Sequence, residues 1–261
     1  MMVMMAVFKK YGVLRICLLI TSATLAQETT MARIETGTYI PLYGNDTVAV
    51  QVDAFLLDKY PVRLKDYLQF VKKNPMWKRS NVKSIFADNG YLKSWESDIV
   101  LGDELNENAA VNYVSWFAAK AYCECQGKRL PTLDEWEYVA MADAFKKDAR
   151  KDVKYTEEIL SWYETPNTAQ RSVGQGQPNY WGVYDMHDLV WEWTMDYNSV
   201  MLSGESRRDV DSDQNLFCGA ASIGATDLMN YAAFMRYAFR GSIKARYAVK
   251  NLGFRCASDI N

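Results

Sequence analysis

The chain has 261 residues, a formal net charge of −2 and a pI near 5.6, with Lys and Arg scattered instead of striped, so nothing in its charge points to a nucleic-acid partner. Eight Trp and seventeen Tyr suit a loop-rich fold packed around large rings. The only histidine is His187, which argues against a multi-histidine zinc or iron centre and leaves a Ser-His-Asp hydrolase without support.

At the N-terminus Lys9, Lys10 and Arg15 precede the apolar run Ile16 to Ile20, and small residues lead to a cut after Ala26. This is the layout of an export signal. Residues 1–26 are expected to be removed, leaving one domain over residues 27–261. The apolar run is shorter than the roughly 20 residues a spanning helix needs, so no stable membrane span is expected after cleavage. The expected location is exported: periplasmic or extracellular.

Alternating apolar residues from Ile34 to Phe55, including Val48, Val50 and Val52, predict two strands around a turn at Gly44, Asn45 and Asp46. Leu64, Tyr67, Leu68 and Val71 recur at helical spacing and predict a helix ending near Pro75. Residues 78–108 are polar with isolated aromatics and read as a long excursion. A second helix is expected from about Ala110 through Cys125, stopped by Gly127. A third begins at Thr132, where Glu135 three residues later completes a capping box. Beyond Ala144 the chain turns charged and then loop-like, with Gly174, Gly176, Pro178 and Asn179 marking turns.

Cys17 would leave with the signal, and Cys123, Cys125, Cys218 and Cys256 would reach an oxidising compartment. An even number there argues for disulfides, but four cysteines allow three pairings.

Three blocks carry a family resemblance: GKRLPTLDEWEY at Gly127 to Tyr138, GVYDMHDLVWEWTMD at Gly182 to Asp196, and YAAFMRYAFRGSIKARYAVKNLGFRC at Tyr231 to Cys256. Together they resemble the formylglycine-generating enzyme family, also called the sulfatase-modifying factor family. The resemblance implies an irregular single-domain α+β fold, related to C-type lectins and low in regular secondary structure. It also implies a bridge between Cys123 and Cys256. The positions matching a second family bridge are Ala140 and Tyr237. Cys125 and Cys218 are then either a bridge of their own or two buried free thiols.

In the family, two cysteines bind copper(I) and drive oxidation of a substrate cysteine. The matching positions here are Asp227 and Ala232. Copper(I) is soft and selects sulfur ligands, so no copper is expected. The second block wraps a calcium ion in the family. The match implies one structural calcium, held by the side chains of Asp185 and Glu192 and the main-chain oxygens of Asp188 and Val190. Asp188 stands where the family has Gly, and Leu189 where it has Asn. The alternative is that Asp185 and Glu192 only cap turns and accept hydrogen bonds. The loop matching the family's other calcium site is shortened to Pro166 to Gln177 and offers no ligand set.

His187 reads as a loop histidine hydrogen-bonded near that ion. Cys218 lies where the family has an RGGS segment and reads as a disulfide partner or buried thiol, with a replacement nucleophile as the sharper reading. Ser222 corresponds to a serine beside the family's active site. Arg236, Arg240 and Arg255 match family arginines, and a guanidinium fork suits buried carboxylates or carbonyls. The variant blocks resemble a branch encoded beside copper nitrite reductases, which implies an accessory role in maturing a periplasmic metalloenzyme. The expected function is a non-oxidase module that recognises a protein or peptide. The alternatives are a formylglycine-generating or related oxidoreductase with a non-standard residue set, and a structural or adhesive role.

Overall fold

The structure is a computed structural model that describes residues 30–42, 48–197 and 228–260. The export segment, the turn at Gly44 to Asp46, and Cys218, Ser222 and Asp227 lie outside the described residues. Among those described, no helix is long and apolar enough to cross a membrane.

The two ends of the domain pair with each other. Strands β1 (Met31–Ile34), β4 (Phe55–Asp58) and β7 (Ala257–Asp259) form an antiparallel sheet in the order β1-β4-β7. Ile34 faces Phe55 and Leu57 faces Ala257 across the register. Along β4, Phe55 and Leu57 are buried while Leu56 and Asp58 are half-buried, the period of two that a half-buried strand requires. A separate ribbon pairs β2 (Gly37–Tyr39) with β3 (Val50–Val52).

Helix α1 (Leu64–Lys73) buries Leu64, Tyr67, Phe70 and Val71 and gives way at Asn74, before Pro75. Helix α2 (Trp116–Cys125) starts six residues later than the pattern suggested. The preceding residues spend their backbone groups elsewhere: Val111 donates to Val62 and Tyr113 to Val249. Ser115 then caps the helix through its hydroxyl. Gly127, at φ 68°, lets the chain leave α2 in the left-handed region. Helix α3 (Leu133–Ala140) carries the full capping box of Thr132 and Glu135. Arg129 grips the same Glu135 carboxylate with two 2.7 Å bonds.

Helix α4 (Val153–Glu164) falls in the stretch expected to be charged and loop-like. Asp152 caps it by accepting from Lys154 N, and only Thr156 and Ile159 are buried along it. Its packing partner is α5 (Leu228–Ser242), whose Ala232 is buried against Ile159. Two short parallel strands, β5 (Trp191–Glu192) and β6 (Leu252–Gly253), tie the central loop to the C-terminal segment. A Cβ on Gly253 would collide with the Val111 carbonyl, so only glycine permits this close approach.

The largest core gathers Tyr67, Trp95, Tyr122, Trp193 and Phe254, and a second gathers Ile34, Phe55, Leu57, Trp136 and Val183. The irregular segment 78–108 feeds the first core with Tyr91, Leu92 and Trp95. Cys123, fully buried on α2, is bonded to Cys256 across 133 residues of chain. Cys125 is an exposed free thiol at the end of α2, and its expected partner Cys218 lies outside the described residues.

Candidate functional site

The loop over residues 182–193 is organised around Arg255. This guanidinium is fully buried, and its Nε donates to both oxygens of the equally buried Glu192 carboxylate at 3.0 and 2.8 Å. Its Nη2 donates to the carbonyls of Tyr184 and Asp185 at 2.9 and 3.2 Å. Glu192 also accepts from Trp136 Nε1 at 2.7 Å. One arginine thus satisfies a carboxylate and a turn of irregular backbone together, which is the condition for burying a charge without a large penalty.

Asp185, only 8% exposed, sits at φ 57° and accepts from Gly174 N at 2.6 Å. Burial pushes its carboxyl up to about 6. Asp188 is also pushed up by burial. Its carbonyl accepts from Arg171 Nη2 at 2.5 Å, and its Oδ1 is buried with no hydrogen-bond partner. An orphaned carboxylate oxygen in a partly desolvated loop is a group for which a cation would compensate. Among the described residues no three acidic, histidine or cysteine side chains gather to hold an ion, so a cation here also needs main-chain oxygens. Asp185 and Asp188 offer carboxylate oxygens of the type calcium takes, whereas the Glu192 carboxylate of the expected set is taken up by Arg255 and Trp136.

The inner face of α5 meets α3 through a second buried cluster. Arg236 donates from Nε and Nη2 to the Glu137 carboxylate, and Arg240 donates from Nη1 at 2.8 Å. The Arg240 guanidinium carbon also lies 4.6 Å from the Trp136 ring centroid. Burial alone would push Glu137 up, but Arg236 and Arg240 outweigh it and hold the carboxyl down at about 2. His187 packs edge-on against Trp136 and Tyr155 and donates from Nε2 to the Ala140 carbonyl at 2.8 Å. Burial, then the charge of Arg236, pushes the imidazole down to about 4. It is neutral at pH 7, with its Nε2 proton committed to a carbonyl.

The outer face of α5 borders an open cleft of about 720 Å³. Tyr163, Trp191 and Phe239 form a three-ring stack on its wall, with centroids 5.1 Å apart at each step. Trp162 meets Trp191 edge-on at 5.0 Å. Met235 and Ala238 line the α5 side, and Lys250, bonded to Asn167 Oδ1 at 2.9 Å, sits on the rim. No Cys, His, Asp or Glu is among the described residues that line this cleft. Ala232 is fully buried behind it, with its carbonyl accepting from Tyr163 Oη at 3.2 Å.

Residues 19–260 match the sequence profile of the sulfatase-modifying factor enzyme 1-like domain. The chain belongs to the sulfatase-modifying factor family. Among relatives, it is 26% identical over 258 residues to the inactive C-alpha-formylglycine-generating enzyme 2 of Bos taurus, covering 80% of this chain and 78% of the relative. It is 33% identical over 175 residues to the formylglycine-generating enzyme of Streptomyces coelicolor, covering 59% of this chain and 54% of the relative. Among solved structures, PvdO from Pseudomonas aeruginosa aligns at a TM-score of 0.46 and 18% identity, over 88% of this chain and 94% of that one.

The family blocks are thus spread over two neighbouring arrangements. The central block supplies Asp185, Asp188, Val190 and Glu192 to the arginine-centred loop, while the C-terminal block supplies Arg255 to that loop and Arg236 and Arg240 to the Glu137 cluster. Glu137, Trp162, Tyr163, Met235 and Phe239 are not among the residues the sequence motifs single out. The Trp162-Tyr163 pair beside the buried Ile159 is the one local signal for the cleft, and it depends on α4 being a helix.

Proposed function

We propose that this member of the sulfatase-modifying factor family is an exported accessory protein that binds a peptide segment of a client protein along the α4–α5 cleft and does not oxidise cysteine. The observation that carries this reading is the composition of the cleft. Its described lining is an aromatic stack with a polar rim, and it contains no thiol, imidazole or carboxylate. Aromatic walls offer contact area at small entropic cost, which favours recognition. Copper(I) chemistry requires thiolates, and the positions matching the family's pair hold Asp227 and Ala232. The similarity to an inactive mammalian member is compatible with this reading. A periplasmic metalloenzyme is the client class suggested by the branch that the variant blocks resemble. One calcium ion in the Asp185 to Val190 loop serves a structural role.

Peptides selected from a random library on the intact protein test the cleft. Ala238→Glu and Met235→Glu alter half-buried positions on the cleft side of α5 and put a desolvated charge against an apolar contact. Each is expected to weaken a selected peptide by roughly tenfold or more, equivalent to about 1.4 kcal/mol, with the melting temperature nearly unchanged. Selected peptides that bind both variants as tightly as the wild type would place recognition elsewhere.

A further inference from the structure

We infer that the α4–α5 cleft selects its peptide by charge: it takes an extended segment that sets an internal Asp or Glu carboxylate against Lys250 and an apolar side chain against the aromatic stack, and it disfavours Lys and Arg. The inference rests on the reading of this cleft as a peptide site and adds the chemistry of the residues recognised there.

The lining divides into two kinds of surface. The apolar part is the half-buried stack of Tyr163, Trp191 and Phe239. The polar part is Lys250, Asn251 and Asn167, all exposed. These three are held together because Lys250 Nζ donates to Asn167 Oδ1 at 2.9 Å, between positions 83 residues apart. The Asn251 carbonyl accepts from Trp191 N at 2.7 Å, which seats the polar group directly beside the stack.

That polar group is rich in donors and poor in acceptors. An ammonium has three hydrogens and no acceptor, and Lys250 spends one hydrogen on Asn167. With its Oδ1 engaged, Asn167 has its amide hydrogens left to give. A carboxylate, which only accepts, is the complement of such a group. A lysine or arginine of the ligand would bring donors to donors and a like charge to Lys250.

The wider charge distribution favours the same ligand. Lys250 is the one cation in the described lining, no carboxylate lines the cleft, and among the described residues Lys250 makes no ion pair. Behind the cleft wall, Arg236 and Arg240 share the single carboxylate of Glu137, so the buried cluster on the inner face of α5 keeps a net positive charge. The charge of Arg236 reaches the wall, where it opposes the upward push of burial on the Tyr163 hydroxyl. Glu164, exposed between Tyr163 and Thr165, lies outside the lining, where solvent and salt screen it. A cleft with low-dielectric walls and one sign of charge concentrates ligands of the other sign. The cleft is open, so a chain can run through it, which makes the carboxylate an internal side chain and not a chain end.

The test selects random displayed peptides on the intact mature wild type and, in parallel, on Lys250→Glu. The wild type is expected to enrich Asp and Glu beside an apolar residue, and Lys250→Glu to enrich Lys and Arg there. In a selected peptide with both ends capped, replacing the acidic residue by its amide should weaken binding to the wild type by about three- to fivefold, the scale of an exposed ion pair. That loss should fade at high salt, and Lys250→Met should bind the acid and amide forms alike. Peptides that are weakened by Ala238→Glu but bind the wild type equally as acid and amide would overturn the charge selectivity and leave the cleft in place. Binding that requires an uncapped C-terminus would overturn the internal carboxylate in the same way. A library that yields no binder, or binders indifferent to both Ala238→Glu and Met235→Glu, would overturn the cleft and its selectivity together.

Discussion

Glu137→Ala is expected to destabilise the protein by about 3–5 kcal/mol, the cost of breaking a buried ion pair by removing one partner. Arg236 and Arg240 are 5% and 3% exposed on their side chains and converge on this one carboxylate, itself 7% exposed. Without it, two guanidinium groups stay desolvated between α3 and α5 with no counter-charge. The same cluster predicts a pH dependence. Folding holds the Glu137 carboxyl at about 2, against an ordinary value of 4.5. A depressed acid contributes stability that is fully present above its unfolded value and lost as pH falls through its folded one. Denaturant midpoints should therefore drop between about pH 4.5 and pH 2, by an amount worth about 3 kcal/mol. In Glu137→Gln this contribution to the slope should vanish. Replacing all three residues with apolar ones of similar volume should cost less than Glu137→Ala, because no charge is stranded. Equal midpoints for Glu137→Ala and the wild type at pH 7 would contradict the account.

Removing the Cys123–Cys256 bridge is expected to cost about 5 kcal/mol, the chain-entropy value for a cross-link spanning this much chain. The separation is 133 residues, and the bond joins the buried end of α2 to the segment leading into β7. It therefore pins the C-terminal strand that closes the sheet against β4. A Cys123→Ala, Cys256→Ala double variant and the reduced wild type should show matching losses in guanidinium unfolding. Cys125→Ser should be neutral, because that thiol is exposed and free. A reduced protein that unfolds at the oxidised midpoint would show that the bridge contributes nothing to stability.

Local chemistry was readable where it was sufficient. The capping box at Thr132 and Glu135 needs only neighbouring atoms, and α3 forms where it predicts. The stripe of Leu64, Tyr67 and Val71 likewise gave α1. Reading failed where distant chain decides. Residues 110–115 have helical-looking composition but pair with Val62 and Val249, so α2 starts at Trp116. Helix α4 is hidden because a charged run from Lys146 to Lys154 leads into it and only two of its residues are buried. The site has the same division. The central block named Asp185 and Glu192, but the partner of Glu192 lies 63 residues away at Arg255, and Glu137 finds its arginines 99 and 103 residues away. The resemblance names Asp185, Glu192 and the three arginines but not Glu137, and the pairings among them come from the fold.

The central claim is that this chain keeps the sulfatase-modifying factor fold without the family's cysteine oxidation. The most direct measurement incubates the reduced mature protein with a CxPxR peptide, copper(I) and oxygen, and follows the peptide cysteine by mass spectrometry. The account predicts that the peptide is recovered with its cysteine unconverted, at the level of a protein-free control. Protein-dependent conversion of that cysteine to an aldehyde at enzyme-like rates would contradict it.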